Sequence, residues 1–340
     1  MTLSRGRVVP EKIQIDLLQA PVEVPYQAIA HSSLDRQGRL YELLDEVLLE
    51  LLDQSDLSRD QLKRTALFFG STSYDLGDRI LQIQASRPNL IDGLTPYAAI
   101  PDYIQLKHHI GGLCFAYNSA CSSSMNALAD ARLMLDQGLI DHAIVVGFEL
   151  YNPVSLSGFY SLQLLATVQC TPFSNTDSMV LGEAVSAVLL SHNRRGAGLE
   201  IINGAAEIDS SNISCTREDG SSIKRVILKC LGSYQKPIAA IKCHGVGTAN
   251  SDRAESNGIR SVFGSDVPLI VLKPLMGNTL GASGVAELVV LKELFDYEIL
   301  PACIFAGDSR SKHIRDQSIM LNNFSFGGNN VCLLVRHHAD

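Results

Sequence analysis

Apolar residues in this chain fall into two rhythms, and each rhythm predicts its own kind of element. Leu40, Leu43, Leu44, Val47, Leu48 and Leu51 recur at helical spacing within residues 36–53, which predicts an amphipathic helix with one face on a core. Short uninterrupted apolar runs at 65–70, 143–147 and 183–190 predict buried strands, the first of them ending in Gly70-Ser71-Thr72. Residues 12–18 read as an extended start. Between an apolar segment at 113–117 and a helical pattern over 122–137, closed by Gly138, lies a run of tiny residues, Asn118-Ser119-Ala120-Cys121-Ser122-Ser123-Ser124. That succession predicts a sharp strand-to-helix turn with a thiol at its apex.

The same plan returns in the second half. Residues 238–242 form a buried run ending in His244-Gly245-Val246-Gly247-Thr248, and the run 269–272 leads into a small-residue turn at 277–284 and an apolar helix at 285–295. Runs at 318–323 and 331–335 echo those at 143–147 and 184–190. Buried strands alternating with helices predict predominantly parallel sheets with helices packed on them. The expected fold class is therefore α/β, with two similar layered halves, residues 1–195 carrying the cysteine and residues 196–340 carrying the histidine turn. Open α/β sheets keep their chemistry at the carboxyl ends of strands, and every glycine-rich turn named above lies at such an end.

Composition narrows the partners. The 340 residues hold no low-complexity linker and suffice for a sizeable core, while a net charge of −8 argues against a nucleic-acid surface, which needs a basic stripe. The eight cysteines form no C-x-x-C pair and mostly sit inside apolar runs, so they read as reduced thiols of a cytoplasmic protein with no zinc framework, and neither metal nor cofactor is expected. Residues 1–10 are basic but lack an apolar core behind them, unlike a signal peptide, and nowhere do about 18 apolar residues run together to span a membrane.

The chemistry-bearing residues are one thiol, one histidine, one lysine and one amide. A thiolate is the attacking form of cysteine, and free N–H groups in the first turn of a following helix would stabilise negative charge at Cys121. The same stretch fits a small core cysteine, and both readings stand at this level. His244 directly follows a buried strand, with Gly245 and Gly247 allowing close approach of a substrate. The other histidines (His31, His108, His109, His142, His192, His313, His337, His338) read as structural or surface residues. Lys273 is expected to end a buried strand, where a cation is costly unless paired or working. Asn278 follows five residues later among Gly277, Thr279 and Gly281, and either residue also fits a role in tying down a loop. Phe324-Ser325-Phe326 before Gly327-Gly328 gives a third turn, able to aim a backbone N–H and a ring at one point.

Five motifs now stand in order: Ala120-Cys121-Ser122-Ser123-Ser124, Leu181-Gly182-Glu183, His244-Gly245-Val246-Gly247-Thr248, Lys273-Pro274-Leu275-Met276-Gly277-Asn278 and Phe324-Ser325-Phe326-Gly327-Gly328-Asn329. Together they resemble the β-ketoacyl-[acyl carrier protein] synthases of the thiolase superfamily, across roughly residues 60–336. The resemblance implies a thiolase-like fold, layered α/β/α/β/α with two pseudo-symmetric βαβαβαββ halves, and a dimer. It implies a condensing acyltransferase of fatty acid or polyketide biosynthesis, in which Cys121 accepts an acyl group from a carrier-protein or coenzyme A thioester. The backbone N–H groups of Cys121 and Phe326 would form the oxyanion hole, and His244 would hold the malonyl thioester carbonyl during decarboxylation. Lys273 resembles the lysine that organises such a site, acting through Glu183, and Phe326 the ring that gates the thiol, with Phe324, Gly327 and Gly328 supporting it.

Departures from the pattern matter too. Asn278 stands where elongating synthases of this family have a second histidine; Cys-His-Asn is similar to the triad of the initiating, coenzyme A-primed branch. An amide donates a hydrogen bond but carries no positive charge. Cys170-Thr171-Pro172-Phe173-Ser174 replaces the usual Arg-Pro-Phe-Asp, Ala184 follows Glu183 where glycine is usual, and the family's apolar first strand is missing. These departures imply a specialised subunit, homodimeric or paired with a fuller ketosynthase in a type II polyketide or aryl-polyene pathway. The alternative is a weakly active or inactive, chain-length-factor-like partner of such a heterodimer, and an acyltransferase or thioesterase without decarboxylation is a third reading. Arg194-Arg195 and Lys224-Arg225 are candidate contacts for an acidic carrier protein.

Overall fold

The computed structural model describes residues 8–15, 21–30, 38–77, 79–80, 99–192, 198–212, 216–296 and 317–338. Strands β1 (Val8–Ile15) and β2 (Val22–Ile29) precede helix α1 (Arg39–Asp53), the short α2 (Arg59–Leu62), β3 (Ala66–Gly70), α3 (Ala99–His108) and β4 (Cys114–Tyr117). A 3-10 turn (Ala120–Ser122) then opens α4 (Ser123–Asp136), followed by β5 (His142–Glu149), α5 (Pro153–Ser161), β6 (Leu181–Gly182) and β7 (Ala184–Ser191). The second set comprises β8 (Gly198–Ile208), α6 (Ser221–Leu231), β9 (Ile238–Lys242), α7 (Ala249–Phe263), β10 (Leu269–Ile270), the one-turn α8 (Lys273–Met276), a second 3-10 turn (Leu280–Ala282), α9 (Ser283–Asp296), β11 (Ser318–Phe324) and β12 (Asn329–His338).

Two mixed sheets share one plan. The first has the order β4-β3-β5-β7 and the second β10-β9-β11-β12-β8. In each, the first three strands are parallel and the next is antiparallel. Strand periodicity shows how the layers form, because alternate residues of one strand feed different cores. Ala66 and Phe68 of β3 join the cluster that holds Met125 and Leu128 of α4, Val285 and Val289 of α9 and Leu321 of β11, whereas Leu67 and Phe69 join the cluster of Leu44, Leu48 and Ile104. Helices α4 and α9 thus lie between the sheets, α1 and α3 cover the outside of the first, and α6 and α7 cover the second through Ile223, Val226 and Ile259. The result is the α/β/α/β/α layering. A third sheet, β1-β2-β6, packs Ile13, Val24 and Tyr26 against Leu156, Met179 and Cys121.

The expected helix at 36–53 is α1, starting at Arg39 behind Gly38, whose φ of 77° suits a residue without Cβ. The run 269–272 is shorter than expected. Pro274 lacks an N–H for a sheet ladder and fits the first turn of a helix, so Leu272 is already helical and Lys273 starts α8 instead of ending a strand. The extended start at 12–18 is the end of β1, paired antiparallel with β2, as far as it is described, since residues 16–18 lie outside the described residues. Among the described residues, no helix is long and apolar enough to cross a membrane.

Candidate active site

The cysteine turn is built by its serines. Ala120 takes a left-handed conformation (φ 52°), which turns the chain from β4 into α4 and leaves Cys121 at the bend. Ser123 Oγ donates to the carbonyl of Ala120 at 2.6 Å and accepts the Ser119 N–H at 2.9 Å. Ser122 Oγ donates to Asn329 Oδ1 at 2.8 Å and stands 3.3 Å from Ser325 Oγ, tying the turn to the β11–β12 connection. Gly70 lets β3 pass beneath, since a Cβ there would stand 2.6 Å from Ser124 Cα.

Cys121 is only 5% exposed. Burial pushes its thiol up to about 11, opposed by Lys273, the Phe326 N–H and the Asn278 side chain, while Glu149 adds to the rise. The expectation of a thiolate favoured by the helix start is reversed for a physical reason. The N–H groups of Ser122 and Ser123 are bonded to the carbonyls of Ser119 and Ala120, and desolvation outweighs the donors that do reach the sulfur.

His244, 2% exposed, is held from below by an acidic helix face. Glu255 of α7 accepts the N–H groups of His244 (2.8 Å) and Gly245 (2.9 Å). Asp252, one turn earlier, accepts those of Gly247 (3.2 Å) and Phe173 (2.6 Å), which places the divergent stretch 170–174 against the histidine turn. Burial raises Glu255 to about 7 and Asp252 to about 6, with these N–H bonds acting the other way. Burial, then Lys273 and Lys242, hold the His244 imidazole well below its ordinary pKa, so it is neutral at neutral pH. A neutral ring donates from one nitrogen and accepts at the other.

Lys273 does not reach Glu183. Its ammonium bonds Glu287 of α9 and, at 3.1 Å, Ser283 Oγ. Glu287 is shared, because Lys242 at the end of β9 bonds its other oxygen and also donates to the Asn322 carbonyl at 2.7 Å. Burial by itself would raise Glu287, but the two lysines hold it below the usual carboxylate range. Glu183 instead takes a two-pronged ion pair from Arg39 (2.5 and 2.6 Å) and accepts the N–H groups of Ile29 (2.9 Å) and Tyr151 (2.8 Å). It ties α1 to the strands above the site.

Asn278 is buried, with Nδ2 3.2 Å from Met179 Sδ and its backbone paired to Val180 and Gly182. Phe326 is 38% exposed and its ring meets Phe159 of α5 edge-on at 5.8 Å, while Phe324 lies 6.3 Å from the His244 ring. Gly327 and Gly328 follow in left-handed conformations (φ 90° and 80°) that free the turn at Phe326. Cys121, Val246 and Leu280 share one apolar cluster, and Lys273 acts electrostatically on both Cys121 and His244. The three loops therefore converge on one place. A separate groove of about 790 Å³ lies at the far end of β7, beside His142, Ser191 and Leu199, away from the thiol.

Sequence reasoning missed Glu287, Lys242, Glu255, Asp252 and Glu149. Glu149 accepts the N–H groups of Thr72 (2.8 Å), Ser73 (3.1 Å) and Gly281 (3.1 Å). Glu287 had one signal: it is the first charge in the apolar run of α9, one helical turn after Ser283. Of the two basic pairs, Lys224-Arg225 lies on α6 with Arg225 paired to Glu207, and Arg194-Arg195 lies outside the described residues.

Comparisons with known proteins agree on one family. The model of the β-ketoacyl synthase N-terminal domain matches residues 19–195 and that of the C-terminal domain residues 199–305. The 3-oxoacyl-[acyl-carrier-protein] synthase 1 of Haemophilus influenzae is 24% identical over 327 residues, covering 85% of this chain and 80% of that one. Among solved structures, a ketosynthase in complex with its chain length factor from Xenorhabdus doucetiae superimposes with a TM-score of 0.77 at 23% identity, over 96% of this chain and 90% of that one. A type II polyketide acyl-carrier protein in complex with its ketosynthase gives a TM-score of 0.75 at 17% identity, over 92% and 87%.

Proposed function

The chain belongs to the β-ketoacyl synthase family of condensing enzymes, and on that premise we propose the roles of its residues. Cys121 attacks an acyl thioester, and its proton leaves on the departing carrier thiol. A malonyl thioester then loses carbon dioxide, the electrons of the broken C–C bond passing into an enolate whose oxygen is held by His244 and Asn278. The enolate carbon attacks the acyl-Cys121 carbonyl, and the tetrahedral oxyanion rests on the N–H groups of Cys121 and Phe326. Collapse breaks the C–S bond, returns the sulfur as thiolate and releases a β-ketoacyl thioester. One such donor typically lowers a barrier by about 3 kcal/mol.

The observation that supports this reading is the shared environment of sulfur and imidazole, with Asn278 and the Phe326 N–H facing Cys121 and Lys273 acting on both. His244 being neutral fits a hydrogen-bond donor to a developing enolate. Phe326, leaning on Phe159 above a buried thiol, is the gate. Glu183 supports the site at one remove, through Arg39 and Tyr151.

We read residues 1–195 and 196–340 as two units, a division supported by the matching strand orders and by β8 opening the second set at Gly198. The carrier is an acyl carrier protein, and the chain works as a dimer with a second copy or a second ketosynthase subunit. The edge strand β4 supports this: Leu113 is 56% exposed, and Cys114 and Ala116 are exposed beside it, an apolar edge suited to pairing with another strand. Six described cysteines are free, in keeping with the cytoplasm. The deciding experiment incubates the purified chain, alone and with a co-expressed ketosynthase partner, with an acyl-carrier-protein thioester and weighs it. A stable acyl adduct that Cys121→Ala removes is expected. No adduct under either condition would leave the chain-length-factor-like role.

A further inference from the structure

Two lysines and one glutamate stand in the layer between the sheets with almost no access to water: the side chains of Lys242, Lys273 and Glu287 are 0%, 1% and 1% exposed. Each lysine takes one carboxylate oxygen, so the unit holds two ammonium groups against a single carboxylate. Burying an extra charge is expensive unless something nearby needs it. Lys273 has the proposed role of organising the site; Lys242 has none. It is the last residue of β9, two residues before His244, and it acts electrostatically on the His244 ring.

We infer that Lys242 is a positioning residue that supplies, through Glu287 and Lys273, the positive charge which Asn278 as a neutral amide does not bring to the enolate. This rests on the condensing reading given above. Glu287 joins the two halves of the device. With Lys242 present its negative charge is spent twice over, and Lys273 keeps a net positive field toward Cys121 and His244. With Lys242 gone, Glu287 would cancel Lys273. The other groups facing His244 do not replace this field. Glu255 and Asp252 of α7 are acids, Asn323 of β11 is neutral, and Glu149 of β5 acts on Cys121 with the opposite sign.

The test compares the wild-type chain with Lys242→Met and Lys242→Arg, measuring malonyl-carrier-protein decarboxylation against acylation of Cys121, with a thermal midpoint for each variant. Removing a unit charge from so buried a unit is expected to slow decarboxylation roughly tenfold in Lys242→Met, well beyond the change in acylation, while Lys242→Arg retains most of the rate. Lys242→Gln serves if the methionine variant does not fold. Equal losses in both steps, no loss, or the same fall in Lys242→Arg would overturn the assignment. A wild-type chain that neither acylates nor decarboxylates would overturn the condensing reading alone. In that case the nitrogen NMR titration of His244 still decides: Lys242→Met should shift its protonation to higher pH, and an unmoved titration rejects the role of Lys242.

Discussion

Ala120-Cys121-Ser122 and Leu280-Gly281-Ala282 are one piece of backbone used twice. Each begins with a non-glycine residue in a left-handed conformation (φ 52° and 43°), continues as a 3-10 turn and opens a helix of 14 residues. The two helices touch where Gly284 leaves no side chain, a Cβ there standing 2.7 Å from Met125 Cα. Yet one turn holds the proposed nucleophile and the other does not. At Gly281 a Cβ would stand 2.6 Å from the carbonyl carbon of Ser71, against backbone that cannot yield, whereas at Cys121 the space is lined by Asn278, Leu280 and the Phe326 N–H. Strain and a helix start do not make a reactive centre; the groups that converge on it do.

The two turns differ most at the sulfur. Cys121→Ala should abolish the acyl adduct in intact-mass spectra, and an adduct that persists would move the chemistry elsewhere. The next effect is one of pH. With burial lifting the thiol to about 11, iodoacetamide alkylation of Cys121 should climb about tenfold per pH unit from 7 to 10, on the order of a thousandfold in all, where an ordinary cysteine levels off near its own pKa. A plateau near pH 8 would show a thiol less buried than described. In the second turn, Gly281→Ala should cost about 3 kcal/mol in denaturant unfolding, because backbone must move to admit the methyl. Smaller still is the contrast between Leu280→Gly and Ala120→Gly. Both relieve a left-handed residue, but Leu280 is buried beside Cys121, so its loss should destabilise by roughly 2 kcal/mol, while Ala120→Gly should change stability by less than about 1 kcal/mol. Equal effects would mean that the two turns carry different strain.

Much of the layered fold was legible because its inner strands are apolar on both faces. The runs at 65–70, 143–147 and 238–242 feed two cores at once, and that leaves a mark in sequence. Strand β8 and helix α7 leave less of one. β8 is an edge strand with Glu200, Asn203 and Glu207 on it, and α7 turns Asp252 and Glu255 inward, so neither shows a clean apolar period. The candidate site left a mark in sequence where small residues cluster, at Cys121, His244 and Asn278. It was illegible where long-range ion pairs decide it: Lys242 looks like a surface lysine closing a strand, and nothing local reveals that Glu287, 45 residues away, reaches it. The same holds for Glu183, whose partner Arg39 is 144 residues distant.

Glu149 joins the second turn to the Thr72-Ser73 bend that follows β3. A single carboxylate, itself buried, gathers amide hydrogens from Thr72 and Ser73 in one half and from Gly281 in the other. The two halves are therefore tied together at one carboxylate, which also acts electrostatically on Cys121. Breathing that frees the second turn also takes a donor from the buried carboxylate that holds Thr72 and Ser73.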